Sequence, residues 1–236
     1  MMLHRAGKDM KKGMIPLLAT FAVMGGGGHA LAGPMEGDTS AMIGLSYVYP
    51  KDTSFKWHDS TSQTQKIKVK RDSSSYTGSL GLRVMATDDI GLDFGTSWSS
   101  KVKQKLIHGT DTYKLQYKIM PWHIAGQYFL MMPSDMVRPY VGFGLHFTEI
   151  SKSKVTNNAN KISKIDIDNE YGLVAQLGAL FSIDEEAFIN VSASYFNLEP
   201  DGKITSIKSD NGKAKAKTKK IDLSPWLFNI SVGFKI

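Results

Sequence analysis

The chain of 236 residues has no cysteine, which removes a disulfide scaffold, thiolate metal sites and cysteine nucleophiles at once. It has no run of eighteen apolar residues, so no helical membrane span is expected. The i, i+3, i+4 spacing of an amphipathic helix is nearly absent. No H-E-x-x-H, G-x-S-x-G, P-loop or strand-following G-x-G-x-x-G occurs, and the six histidines lack metal-ligand spacing. No catalytic residue, cofactor or metal is therefore expected. Apolar residues make up 42% of the chain, too many for general disorder. A globular chain or a β-barrel is left, and a formal charge of +7 does not choose between nucleic acid, anionic lipid and no partner at all.

Residues 1–32 read as a secretory signal peptide. Arg5, Lys8, Lys11 and Lys12 precede an apolar stretch from Met14 to Met24, and a small-residue segment closes on Ala30-Leu31-Ala32. Pro16 and Gly25 to Gly28 weaken the apolar stretch as a helix, and Met10 or Met14 also fits as the start. A disordered basic tail, the other reading, gives no reason for an apolar core before an A-x-A site. Cleavage after Ala32 leaves residues 33–236, carrying a charge of +4, in a chain exported by a bacterium.

From Ala41 onward apolar residues recur at every second position, the period of a strand. Near the end Trp226, Phe228, Ile230, Val232, Phe234 and Ile236 share one face, with Leu227, Asn229, Ser231, Gly233 and Lys235 on the other. Similar segments begin near Ile43, Leu80, Ile90, Trp122, Val141, Tyr171 and Ile189, giving eight strands. A soluble barrel, such as a lipocalin, keeps its bulky face inside and covers its outside with charge. Here the face opposite the bulky one is Gly, Ser, Asn and Gln, which suits the narrow interior of an eight-stranded barrel whose greasy side meets lipid. Tyr and Trp lie toward strand ends, where amphipathic rings favour the headgroup level.

Connections alternate in length. Links at 86–89, 131–137 and 183–186 are short, whereas those near 51–75, 99–114, 151–170 and 200–220 are long and polar. The long ones contribute +3, +3, +1 and, over residues 202–220, +6, and the short ones −2, −1 and −3. The expectation is an all-β, eight-stranded antiparallel up-and-down transmembrane β-barrel in the bacterial cell outer membrane. Its termini and short turns lie in the periplasm, and its basic long loops face the phosphates of lipopolysaccharide.

The segments Met85-Ala86-Thr87-Asp88-Asp89-Ile90-Gly91, Arg138-Pro139-Tyr140-Val141-Gly142, Gln176-Leu177-Gly178, Ser224-Pro225-Trp226-Leu227-Phe228 and Val232-Gly233-Phe234 resemble the OmpW family, which includes AlkL-like proteins. The similarity runs in order from about Tyr76 to the C-terminus. It implies a narrow, partly hydrophobic barrel that passes small hydrophobic molecules, admitted from the extracellular loops and released sideways into the bilayer. Ile236 stands where this family ends in an aromatic residue read by the barrel assembly machinery; Phe234 is a possible substitute.

Parity places Arg83, Asp93, His146, Gln176, Asn190 and Lys235 inside, as a hydrogen-bonded plug or a gated polar path, the former favoured because a buried charge needs a partner. Phe129, Val174, Leu180, Phe196, Leu198 and Leu227 either line a hydrophobic funnel or fill the lumen near its ends. Pro121, which donates nothing to a ladder, marks a lateral seam, an edge bulge or a strand start. Lys213, Lys215, Lys217 and Lys219 share a face if their loop extends as a ribbon, for lipopolysaccharide phosphate or simply for water. No aromatic platforms interrupt this run, so nucleic acid is not an expected partner. Three classes of function fit: a passive channel for small hydrophobic solutes; a structural or receptor/adhesin barrel whose loops bind lipopolysaccharide, phage, bacteriocin or host partners; and a lipid-modifying barrel using His58, Asp59 and Ser60. The third is the weakest, because catalytic groups must converge in space and these are merely consecutive.

Overall fold

A computed structural model describes residues 33–58, 64–108, 111–156, 162–209, 212–218 and 221–236. The signal peptide expected over residues 1–32 lies outside them. Among the described residues fourteen strands follow in order: β1 (Thr39–Pro50), β2 (Thr53–His58), β3 (Thr64–Ser73), β4 (Ser75–Met85), β5 (Ile90–Ser97), β6 (Ser100–His108) and β7 (Asp111–Phe129). Then come β8 (Val137–Thr156), β9 (Ile162–Ile167), β10 (Glu170–Ser182), β11 (Ala187–Phe196), β12 (Gly202–Ser209), β13 (Gly212–Thr218) and β14 (Pro225–Lys235). Eight of these, β1, β4, β5, β7, β8, β10, β11 and β14, pair antiparallel each with the next, and β14 returns to β1. The result is a closed up-and-down barrel.

Bulky apolar residues of these eight strands face outward. Ile43, Leu45, Phe94, Ile124, Phe143, Leu177, Ile230 and Phe234 are all exposed, while Ser46, Ser79, Gln127, Ser194 and Ser231 are buried within. From Trp226 to Ile236, one residue past the end of β14, the outward apolar row spans ten residue steps, about 33 Å along the chain and about 25 Å across a bilayer at a tilt of about 40°. Its upper border is an aromatic girdle set by register. Tyr76 pairs with Tyr47 and Tyr47 with Phe228, Tyr49 with Trp226 and Trp226 with Tyr195, and Trp122 with Phe147 and Phe147 with Tyr171.

One end carries three short turns. Thr87 Oγ1 accepts the N–H groups of Asp89 and Ile90, and Asp184 Oδ1 those of Glu186 and Ala187, so polar side chains supply the bonds that a tight reversal leaves open. The other end differs from the loops expected at 51–75, 99–114, 151–170 and 200–220. Hairpin strands β2 and β3 pair with each other and β3 with β6, and β6 lies on β7; β9 lies on β8, β12 on β9 and β13 on β12. These segments are walls rather than loops because their lysines alternate with apolar residues, the period of a strand.

The alternation there has the opposite polarity to the membrane band. On β7, Trp122, Ile124 and Tyr128 point out and Gln127 points in, but beyond Pro121 the buried positions are Leu115, Tyr117 and Ile119 and Lys114 is exposed. On β8 a bulge at Lys152, whose φ is 53°, interrupts the register with β7 and brings Ile150 and Val155 to the same inner side. Above the girdle the barrel thus obeys the rule of a water-soluble protein, apolar in and charged out.

Candidate functional site: the lumen

The interior has three layers. At the hairpin end Val48, Val102, Leu106, Leu115, Tyr117 and Ile119 form a buried apolar cluster with Val174, Phe196, Leu198 and Leu227. At the turn end Phe129 and Leu180 belong to a second cluster with Met42, Met85, Tyr140 and Phe188. All six residues expected to line one funnel are buried, but they divide between these two layers. A polar layer separates them.

That layer is a chain of hydrogen bonds. Arg83 and Asp93 are directly opposite on β4 and β5, and Arg83 Nη2 donates to Asp93 Oδ1 at 3.3 Å. Asp93 Oδ2 is 3.0 Å from His123 Nε2, the Gln176 amide is 3.0 Å from the same nitrogen, and Gln127 Nε2 donates to Gln176 Oε1 at 2.9 Å. Tyr140 donates to Asn190 Oδ1 at 2.9 Å, and Asn190 Nδ2 to Ser231 Oγ at 3.4 Å. His146 lies higher, between Thr148 Oγ1 at 3.0 Å and the Asn197 carbonyl at 2.9 Å. Lys235 departs from the expected plug. As the last residue of β14 it sits at the turn-end rim, its ammonium 3.1 Å from Asp38, because the chain leading into β1 brings that carboxylate alongside. His123, Gln127, Tyr140 and Arg138 are lumen residues that the candidate set omits; the alternation around Trp122 and Ile124 already carried the signal for the first two.

Glycines make room for this layer. A Cβ at Gly95 would lie 2.3 Å from the His123 ring, and one at Gly178 2.6 Å from the Tyr140 ring; each glycine is the paired residue of the side chain it accommodates. A cavity of about 60 Å³ touches Asp93, His123, Gln176, Asn190 and Pro121, enough for a few waters and far too small for a long-chain solute.

A second buried arginine, Arg138, stands at the turn end. Arg138, fully buried, donates to the backbone carbonyls of Pro34, Asp88 and Met131, tying the N-terminal segment to two turns. Its guanidinium lies 4.7 Å from the centre of Phe129, and that of Arg83 lies 5.2 Å from Tyr140 and 5.6 Å from Phe129. These are cation–π distances.

Pro121 occupies a break in the wall. It pairs with Thr148 of β8, but on its other side the partner of β7 changes from β5, last paired at Thr96↔Trp122, to β6, first paired at Ser100↔Ile119. The Pro121 carbonyl accepts from Thr96 Oγ1 at 3.0 Å, and proline has no N–H to offer in return.

Asp222 ties the start of β2 to the chain leading into β14, accepting from Thr53 Oγ1 at 2.8 Å and from the Ser224 N–H at 3.1 Å. Burial works to raise its pKa, but the Ser224 and Thr53 hydrogen bonds outweigh it and hold the carboxyl below its ordinary value of 3.8. The depressed value means that this tie is fully present above pH 3.8 and is lost as pH falls through the lower folded value. Hydrogen exchange at the Ser224 amide is expected to accelerate on going from pH 6 to below pH 3 in wild type, beyond the intrinsic change, but not in Asp222→Asn.

Among the described residues no group of three His, Asp or Glu is placed to hold a metal. The side chain of His58, residues 59 and 60, the side chains of Lys213, Lys215 and Lys217, and Lys219 lie outside the described residues; the backbone of β13 sets those three lysines at alternate positions.

The sequence pattern of the OmpW family matches residues 35–236. Outer membrane protein W of Vibrio cholerae is 27% identical over 208 residues, covering 85% of this chain and 89% of that protein. Among solved structures, OprG of Pseudomonas aeruginosa superposes with a TM-score of 0.75 at 23% identity, over 86% of this chain and 98% of that one. The outer membrane protein AlkL, solved in lipid bilayers, gives a TM-score of 0.54 at 17% identity, over 87% and 92%.

Proposed function

This chain belongs to the OmpW family of bacterial outer-membrane β-barrels, and from that premise we propose that it is a narrow passive route for small hydrophobic molecules. In this reading the hairpins project outside the cell and the turns face the periplasm. A solute enters the apolar layer at the hairpin end and leaves sideways at Pro121 into the bilayer. The supporting observation is the order of the layers. An apolar solute that reached Asp93, His123 and Gln176 would have to displace a connected hydrogen-bond network, then pass two buried arginines, so the axis is closed to it. Arg83, Asp93, Gln176 and Asn190 serve as a plug, and no catalytic step is assigned to them.

Vesicles holding the folded barrel are expected to take up a long-chain fatty ester faster than empty ones. Equal rates would overturn the channel and favour a structural or receptor barrel. Pro121→Ala adds an N–H to the break; one ladder hydrogen bond of about 1 kcal/mol would make opening about fivefold rarer. Uptake by that variant is expected to slow to that degree, and an unchanged rate would remove the seam while leaving the channel.

A further inference from the structure

Above the girdle, neighbouring strands set lysines directly opposite one another. Lys70 of β3 pairs with Lys105 of β6, and Lys105 pairs with Lys114 of β7, so three ammonium groups form one row across the sheet. Lys101 and Lys118 form a second row nearer the membrane. Directly opposed residues of an antiparallel pair point to the same side with Cβ atoms about 5 Å apart, and like charges so placed repel. Burial of Val69, Leu106 and Leu115 inside the barrel turns these lysines outward. Among the described side chains two carboxylates face them. Asp72 lies 2.8 Å from Lys105, and Glu149, exposed on β8, is paired opposite Met120. Two acids do not balance the lysine rows. Nothing within the fold requires this arrangement, since Thr or Gln would fill the same outward positions without repulsion.

Height above the bilayer identifies what resolves the repulsion. Outward positions of β7 run from Trp122 through Met120, Lys118 and Gln116 to Lys114. At about 3.3 Å per residue and a tilt of about 40°, Lys118 stands roughly 10 Å and Lys114 roughly 20 Å above the girdle. Those are the levels of the headgroups and first sugars of an outer leaflet, and the lysines continue the lipid-facing side of the wall. We propose that the outward face of β3, β6 and β7 is a docking surface for the phosphate groups of the phosphorylated glycolipid of that leaflet. The lower row meets the lipid A phosphates and the upper row the phosphorylated inner sugars. The proposal shares with the channel reading only the orientation of the barrel, and it needs no transport.

The folded full chain in neutral detergent provides the test, with bisphosphorylated lipid A, its dephosphorylated form and inorganic pyrophosphate as probes. Lys101→Gln/Lys118→Gln, in the row assigned to lipid A, is expected to weaken binding of bisphosphorylated lipid A at least fivefold, with Lys101→Arg/Lys118→Arg restoring it. The Gln variant is also expected to unfold at a higher temperature than wild type without lipid A and at a lower one with it, a reversal of sign that a merely structural role would not produce. Equal binding by wild type and the Gln variant would overturn the proposal, as would equal binding of the dephosphorylated form. Pyrophosphate competing at the concentration of lipid A would replace it with a small-anion site. Ester uptake by the same preparations is expected to be unchanged, so the failure of one reading leaves the other standing.

Discussion

Asp93→Ala is expected to lower the unfolding free energy of the barrel by about 3–5 kcal/mol, because it strands the Arg83 guanidinium in a lumen where its side chain is only 1% exposed. The same substitution removes the acceptor facing His123 Nε2, so the damage spreads to Gln176 and Gln127. Urea unfolding in detergent, followed by the mobility difference between unboiled and boiled samples, measures the loss. Replacing both partners, Arg83→Met with Asp93→Leu, is expected to recover most of it, since a matched apolar pair leaves no uncompensated charge. A loss below about 1 kcal/mol for the single variant would mean that water already reaches the pair and that the polar layer is not a plug.

Arg138→Met is expected to have an effect of similar size with a different outcome. Its three backbone acceptors belong to separate segments, the stretch before β1 and the turns after β4 and β7, so the side chain acts as a clasp. Hydrogen bonds to a charged donor contribute roughly 1.5–3 kcal/mol each, and methionine fills the volume but makes none of them. The N-terminal segment around Pro34 is then expected to become accessible to added protease, and planar bilayers to show a small ion leak absent from the wild type. Retained resistance at residues 33–38 would place the closure elsewhere, in ties such as the Gly33 N–H on the Pro133 carbonyl, the Glu36 N–H on Asp88 Oδ1, the Gly37 N–H on the Met85 carbonyl and the Lys235–Asp38 pair.

Strand number, strand parity and the inward residues Arg83, Asp93, Gln176 and Asn190 were legible because a bilayer forces a two-residue alternation that no other environment produces so regularly. The hairpin walls were not. Their lysines suggested loops by composition, yet Lys101, Lys103 and Lys105 straddle Val102 and Gln104, a strand pattern whose charged side happens to be the outer one. The two-part division of Phe129, Val174, Leu180, Phe196, Leu198 and Leu227 was hidden for another reason. Parity tells inside from outside but not depth, and depth depends on register between strands far apart in sequence. The pairing of Gly95 with His123 and of Gly178 with Tyr140 shows the same limit, since a glycine's partner becomes known only with the ladder.

The reversal of polarity along β7 has a mechanical corollary. A barrel greasy along its whole height could slide along the membrane normal at little cost, but this one carries a waterline at Met120 and Pro121. Raising it would lift Trp122 and Phe147 out of the lipid, and lowering it would submerge Lys118, so displacement in either direction meets a restoring force. The break at Pro121 is therefore held at a constant immersion, level with the ends of the acyl chains nearest the headgroups, whatever the thickness of the leaflet below.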